Sequence, residues 1–97
     1  MSEVIKLNYP QMQEMAEQCI KLEQRLQETV QLGRSIAQEL QGGALIGDVG
    51  EAFAATLNGK FSSQTMRLSQ KFGEIAKDIK SAIADMQASD KSAGGLF

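Results

Sequence analysis

Two carboxylates one helical turn apart are among the few arrangements in this chain that could do chemistry. Glu74 and Asp78 are separated by four residues, so on a helix they would share one side and could bind a cation or share a proton. Lys71, Lys77 and Lys80 are interspersed with them, and such a mixture of signs is typical of a solvated helix face. The sequence therefore predicts a charged surface here, with no metal site and no cofactor.

The single cysteine, Cys19, is the other reactive side chain. The chain contains no histidine, so it lacks the usual proton carrier near neutral pH and the commonest metal ligand. No residue pattern supplies a nucleophile together with its base, and we predict that the protein is not an enzyme. Cys19 is interpreted as a small buried hydrophobic residue, with an intermolecular disulfide as the alternative.

Length and charge exclude several other classes of protein. The chain has 97 residues, which allows one domain, here residues 1–97. Ten Lys and Arg stand against twelve Asp and Glu, and such a balance gives no reason to bind nucleic acid. No apolar run is long enough to span a membrane, and the N-terminal stretch lacks the apolar segment of a cleavable signal peptide.

A glycine-rich stretch from Leu40 to Gly50 divides the chain. Such a stretch can cradle a phosphate, link two domains or form the bend of a hairpin. A phosphate loop is disfavoured because no Lys-Ser or Lys-Thr follows the last glycine and Asp48 would repel the anion. We therefore predict a hairpin bend at residues 42–47.

The segments on both sides of the bend are predicted to be long helices. Asn8 is a good N-cap and Pro10 suits a first helical turn, so helix 1 is expected at about 9–41. Asp48 with Glu51 three residues later resembles a capping box, so helix 2 is expected at about 48–90. A flexible tail is expected at 91–97, and Gly59 and Gly73 mark either weak points or close approaches within helix 2.

Apolar or small residues recur in both helices at alternating steps of three and four, which is typical of helices that pack along their length. We call the following residues the predicted seam: Met12, Met15, Cys19, Leu22, Leu26, Ile36, Leu40, Leu57, Phe61, Leu68, Phe72, Ile75 and Ile79. Further apolar residues lie beside it: Ile20, Val30, Leu32, Val49, Met66, Ala76 and Ile83.

The fold class that follows is all-α, an antiparallel two-helix hairpin. Because the apolar stripe is wider than one helix–helix contact, a second hairpin is expected to cover it, giving a four-helix bundle dimer.

At the bend the chain resembles the Trp-X-Gly (WXG, ESAT-like) helical hairpins of type VII, or ESX-type, secretion. The matching triplet is Leu45-Ile46-Gly47, with leucine in place of tryptophan, and the sequence Glu-Ala-Phe53 follows it. The resemblance implies a small substrate or co-exported targeting partner that is made in the bacterial cytoplasm and secreted without a cleavable signal peptide. The partners it implies are the chain itself or a related hairpin, a secretion ATPase, or the helical N-terminal domain of a toxin.

The export signal that the resemblance implies lies at the C-terminal end. The family pattern Tyr-X-X-X-Asp/Glu corresponds to Met86 through Asp90, with methionine in place of tyrosine. That departure favours a partner that carries the complete signal. Leu96 and Phe97 are either part of a disordered tail or a hydrophobic plug for a partner's pocket.

Two functions outside secretion also fit a helical hairpin. One is an intracellular coiled-coil adaptor or chaperone. The other is a polymerising needle-type subunit, which would form filaments at high concentration.

Overall fold

The computed structural model describes the backbone of residues 8–44 and 47–94 and the side chains of residues 8–43 and 47–90. The regular structure in these ranges is helical throughout, which confirms the predicted all-α class. Helix α1 spans Tyr9–Glu39, helix α2 spans Asp48–Thr56 and helix α3 spans Ser62–Gly94. Two π-type turns, Leu40–Ala44 and Leu57–Phe61, follow α1 and α2. Because the backbone stays helical from α2 into α3, these two helices form one long element.

The ends of the first helix follow from its local sequence. The Asn8 side chain accepts a hydrogen bond from the backbone N–H of Gln11 at 3.1 Å, and Pro10 lies in the first turn. The helical path stops at Gly43, whose φ of +104° is a left-handed conformation that glycine adopts without the steric cost of a Cβ. Gly43 lies inside the predicted bend.

The second long helix begins at the predicted residue, Asp48, but its cap and its C-terminal end differ from the prediction. Its N-cap is Gly47, with φ +110°, and no side chain caps it, so the predicted capping box is wrong. Asp48 and Glu51 instead lie in the first turn of α2, where negative charge is favourable beside the positive end of the helix dipole. At the other end α3 continues to Gly94, so residues 91–94 of the predicted tail are helical. Leu45 and Ile46 of the bend motif, and Leu96 and Phe97 of the tail, lie outside the described residues.

The two long helices lie antiparallel against each other. In mid-helix the Ser69 hydroxyl donates a hydrogen bond to the Glu23 carbonyl oxygen at 2.9 Å. At the end away from the bend, the Tyr9 hydroxyl donates to the Asp90 carboxylate. The chain measures 74 × 24 × 15 Å, and its smallest dimension is little more than the about 10–12 Å diameter of one helix. The hairpin is therefore a single layer.

The helices touch through mostly small residues at every seventh position. In α1 the series includes buried Ala16, Val30 and Ala37, with half-buried Glu23 between them, and all members of the α3 series are buried. We call this set the small-residue contact: Ala16, Glu23, Val30 and Ala37, with Ser62, Ser69, Ala76 and Ile83. Short side chains let two helix backbones approach closely, and burial of this row holds the hairpin together.

A second row lies at the edge of this contact and is also spaced by sevens. Its members are half-buried, apart from the fully buried Gly33. The row consists of Met12, Cys19, Leu26, Gly33 and Leu40, with Thr65, Phe72, Ile79 and Met86. At Gly33 the Phe61 ring lies so close that an added Cβ would be 3.1 Å from its Cε2 atom. The glycine thus gives room to an aromatic ring from the opposite helix.

The π-type turn at Leu57–Phe61 shifts the buried repeat by one residue. In α2 the buried positions are Gly50 and Ala54, the first and last residues of the turn, Leu57 and Phe61, are half-buried, and after the turn the buried positions resume at Ser62. A π turn holds one residue more than an α turn, so the buried positions after the turn come one residue later in the sequence than in a regular helix. The Ser62 hydroxyl donates to the Leu57 carbonyl oxygen at 2.6 Å, which gives that oxygen a partner where the regular ladder is interrupted.

Two glycines that differ in backbone conformation make a matched stability test. Neither Gly59 nor Gly43 has an atom within 4 Å of an added Cβ, but Gly43 has a positive φ and Gly59 does not. We expect Gly59→Ala to raise the free energy of unfolding by about 0.5–1 kcal/mol through helix propensity. Gly43→Ala should lower it by about 1–2 kcal/mol, because the left-handed conformation is strained for alanine.

Urea denaturation followed by circular dichroism measures both changes. Equal effects of the two substitutions would contradict the backbone assignment at Gly43.

Candidate functional site

The described chain exposes its large hydrophobic residues in a regular pattern. Each of them directly precedes a residue that is buried or, in the case of Glu23, half-buried. We call this set the apolar face: Met15, Leu22, Leu32, Ile36, Val49, Phe53, Leu68 and Ile75. Leu32 and Val49 expose 62% and 60% of their surface, so these side chains do not hold the hairpin together.

Helix geometry places most of these residues on one side of the hairpin. Consecutive residues are about 100° apart around a helix, so a residue just before a buried one points sideways from the contact. In an antiparallel pair this sideways direction is the same for both helices. A shallow groove lined by Met15, Cys19 and Leu22 of α1 and by Phe72 of α3 shows the two helices meeting on this side.

The residues that directly follow buried positions form the opposite, polar face. All of them are exposed, and polar or charged types dominate the set. They are Glu17, Gln31, Arg34, Gln38, Glu51, Ala55, Ser63, Gln70, Lys77 and Ala84. The grooves on this side are lined mainly by glutamine and charged side chains, including Gln27, Glu28, Glu74 and Lys80. The hairpin is therefore two-sided, with one apolar and one hydrophilic face.

The predicted seam lies along the apolar face and at the edge of the contact between the helices. Five of its members belong to the exposed set, namely Met15, Leu22, Ile36, Leu68 and Ile75. The other members are half-buried, namely Met12, Cys19, Leu26, Leu40, Leu57, Phe61, Phe72 and Ile79. Of the residues predicted to lie beside the seam, Val30, Ala76 and Ile83 are buried between the helices. Within the hairpin, small residues make the contact between the helices that was predicted for the large ones.

The chain exposes more surface than a compact protein of its mass. Its accessible surface is 7529 Å² for 10.5 kDa, whereas a compact monomer of that mass exposes about 5,400 Å². The single-layer shape contributes to this surplus, because it leaves both broad sides of each helix in solvent.

The two described residues of the implied export signal lie at the open end of the hairpin. Met86 is half-buried and Asp90 is exposed. Asp90 accepts a hydrogen bond from Tyr9. This bond is the largest cause that raises the pKa of Tyr9 above its ordinary value of 10.0, and desolvation and the negative charge of Asp90 raise it further. Sequence reasoning missed Tyr9, although antiparallel pairing places the start of α1 opposite the end of α3.

The reactive residues form no chemical centre in the described part of the chain. Cys19 is a half-buried free thiol in the groove of the apolar face, and Glu74 and Asp78 are both exposed. The described residues contain no group of three or more His, Cys, Asp or Glu side chains that could hold a metal ion. None of their helices is long and apolar enough to cross a membrane.

Comparison of the chain with protein-family models, curated proteins and solved structures gave no match.

The same substitution at a buried and an exposed alanine tests the small-residue contact. Ala76 is 2% exposed, and Ala76→Leu should lower the free energy of unfolding by about 1–3 kcal/mol because the added atoms force the helices apart. Ala55 is exposed on the polar face, and Ala55→Leu should change the free energy of unfolding by less than about 0.5 kcal/mol. Chemical denaturation of both variants gives the comparison. A similar loss in both would mean that the helices do not meet at Ala76.

Proposed function

We propose that this protein is a small, non-enzymatic substrate or co-exported targeting partner of a type VII, ESX-like secretion system. It acts by pairing its hairpin with a second hairpin to form a four-helix bundle. The observation that carries the proposal is the apolar face, in which large hydrophobic residues from both long helices lie on one side of a single-layer hairpin.

The amount and arrangement of this surface support a protein partner. A standard interface buries about 800 Å² on each partner, and the apolar face offers eight large hydrophobic side chains that are 37–62% exposed. Met15 and Leu22, and likewise Leu68 and Ile75, are separated by seven residues, which is the repeat that another helical pair would match. A second copy of the chain offers such a surface, and so would a related hairpin or a toxin's helical N-terminal domain.

The secretion role rests on the resemblance at the bend and the C-terminal end. Leu45, Ile46 and Gly47 stand at the bend motif, and Met86 and Asp90 at the implied signal. In the proposal the partner supplies the tyrosine half of that signal, and a secretion ATPase reads the assembled end. Leu96 and Phe97 would add a hydrophobic plug for a pocket of the ATPase or the partner.

Substitutions on the two faces should affect pairing differently. Leu68→Ser together with Ile75→Ser should raise the dissociation constant of the pair by about 10-fold or more, because these side chains are 46% and 45% exposed in the single hairpin and covering a fully exposed one contributes about 1.5–3 kcal/mol. Gln70→Ala together with Lys77→Ala is the matched control, because these residues flank the same buried Ser69 and Ala76 on the polar face.

Analytical ultracentrifugation of the chain, alone and co-expressed with neighbouring hairpins, measures the pairing. A well-folded monomer at micromolar concentration under every condition would refute it.

Export provides the second test. The tagged chain, expressed in a host with an ESX-type system, should reach the culture medium, and deletion of the secretion ATPase should abolish this. Retention in the cell with and without the ATPase would favour the adaptor or chaperone, and filaments at high concentration would favour the needle-type subunit.

A further inference from the structure

The open end of the hairpin carries a polar contact between the first residue of α1 and the last turns of α3. Tyr9 donates its hydroxyl to the Asp90 carboxylate across a sequence separation of 81 residues. Among the described residues, this is the one hydrogen bond that joins a side chain of α1 to a side chain of α3. It joins the start of α1 to the last turns of α3, at the end of the described hairpin away from the bend.

We propose that Tyr9 and Asp90 form a clasp that presents an aromatic ring from one helix and a carboxylate from the other as a single recognition element. The partner that fits it is a protein surface that offers a lysine or arginine beside an apolar pocket. This inference rests on the proposed function in one respect, because it assigns Tyr9 to the same end of the hairpin as the implied export signal.

The chemistry of the two side chains supports joint recognition. A tyrosine hydroxyl donates one hydrogen bond, whereas an ionised carboxylate has about four acceptor positions. Asp90 is exposed and therefore keeps acceptor positions for a partner's cation while Tyr9 holds it. The half-buried Tyr9 ring gives an apolar surface beside that charge.

Two methionines extend the apolar part of this element. Met12 lies one turn after Tyr9 and Met86 one turn before Asp90, and both are half-buried in the second row of the contact. A thioether side chain adapts to partners of different shape. The open end thus combines a carboxylate, an aromatic ring and soft apolar surface.

The clasp makes the element depend on folding. Helix ends that lack tertiary contacts fray, and Asp90 lies near the end of α3. With Tyr9 in place, Asp90 is fixed relative to α1, so an unfolded chain or an isolated α3 would not display the same surface. A partner that reads it would distinguish the folded hairpin from its parts.

The composition of the chain allows a direct test of the clasp. Tyr9 is the only tyrosine and the chain has no tryptophan, so near-ultraviolet absorbance during a pH titration reports on Tyr9 alone. The neutral hydroxyl donates to Asp90, so Asp90→Asn should bring the pKa of Tyr9 down towards its ordinary value. Asp85→Asn, which removes an exposed carboxylate from the same helix, should leave the pKa unchanged.

Hydrogen exchange supplies an independent readout. In Tyr9→Phe and Asp90→Asn the backbone amides of residues 86–90 should exchange faster than in the wild type, while those in the middle of α3 should be unaffected. Asp85→Asn is again the control. A Tyr9 titration and amide exchange that are the same in Asp90→Asn as in the wild type would overturn the clasp.

An export assay tests whether the clasp is recognised, separately from whether it forms. In cells that export the wild-type chain through the ESX-type system, Tyr9→Phe and Asp90→Asn should each reduce export by about tenfold, the effect expected from loss of a charge-assisted hydrogen bond. Wild-type export in both variants would overturn the recognition role even if the titration confirms the clasp. If the wild-type chain itself is not exported, the proposed function fails, and the titration still decides whether the clasp exists.

Discussion

The close approach of two helices through small side chains is the constraint on which the rest of this structure depends. Alanine and serine fill most positions of the small-residue contact, and Ser69 adds a hydrogen bond to a carbonyl oxygen of the opposite helix. The alanine and serine positions of this contact have no room for leucine or phenylalanine. The large apolar residues must therefore lie beside the contact, and the direction of the two helices brings them to the same side.

This arrangement separates the residues that fold the chain from those that bind. The buried row is narrow and composed mainly of small residues, so it contributes only modestly to the hydrophobic stabilisation of a chain of this length. The apolar face holds larger side chains that the hairpin leaves in water. In the proposed function a second hairpin covers them, so that pairing completes a core of which one chain supplies only a part.

Sequence patterns predicted the helices better than they predicted the packing. Asn8 caps α1 and Gly43 ends it because capping and left-handed backbone are local properties of those residues. The sequence pattern also identified the stripe of Leu22, Leu68 and Ile75. Hydrophobicity alone does not tell whether a large residue packs against its own chain or against another one. The contact itself was overlooked because Ser62 and Ser69 are not apolar.

Backbone irregularity was the second source of error. Helix 2 was predicted as one regular helix at about 48–90, whereas the π-type turn at Leu57–Phe61 interrupts the regular pattern and puts Ser62 in the buried position. Gly73, which the sequence marked as either a weak point or a close approach, lies against the side chain of Glu23, and Gly59 has no neighbour. Such differences arise from the opposite helix, which local patterns do not describe.

The π-type turn also determines which residues of α3 face α1. Without one residue between Leu57 and Phe61, the buried positions from Gly50 to Ile83 would follow one step of four and then regular steps of seven. The turn therefore takes up the extra residue where Asn58, Gly59 and Lys60 are exposed, and it brings the two parts of the second long helix into one register against α1.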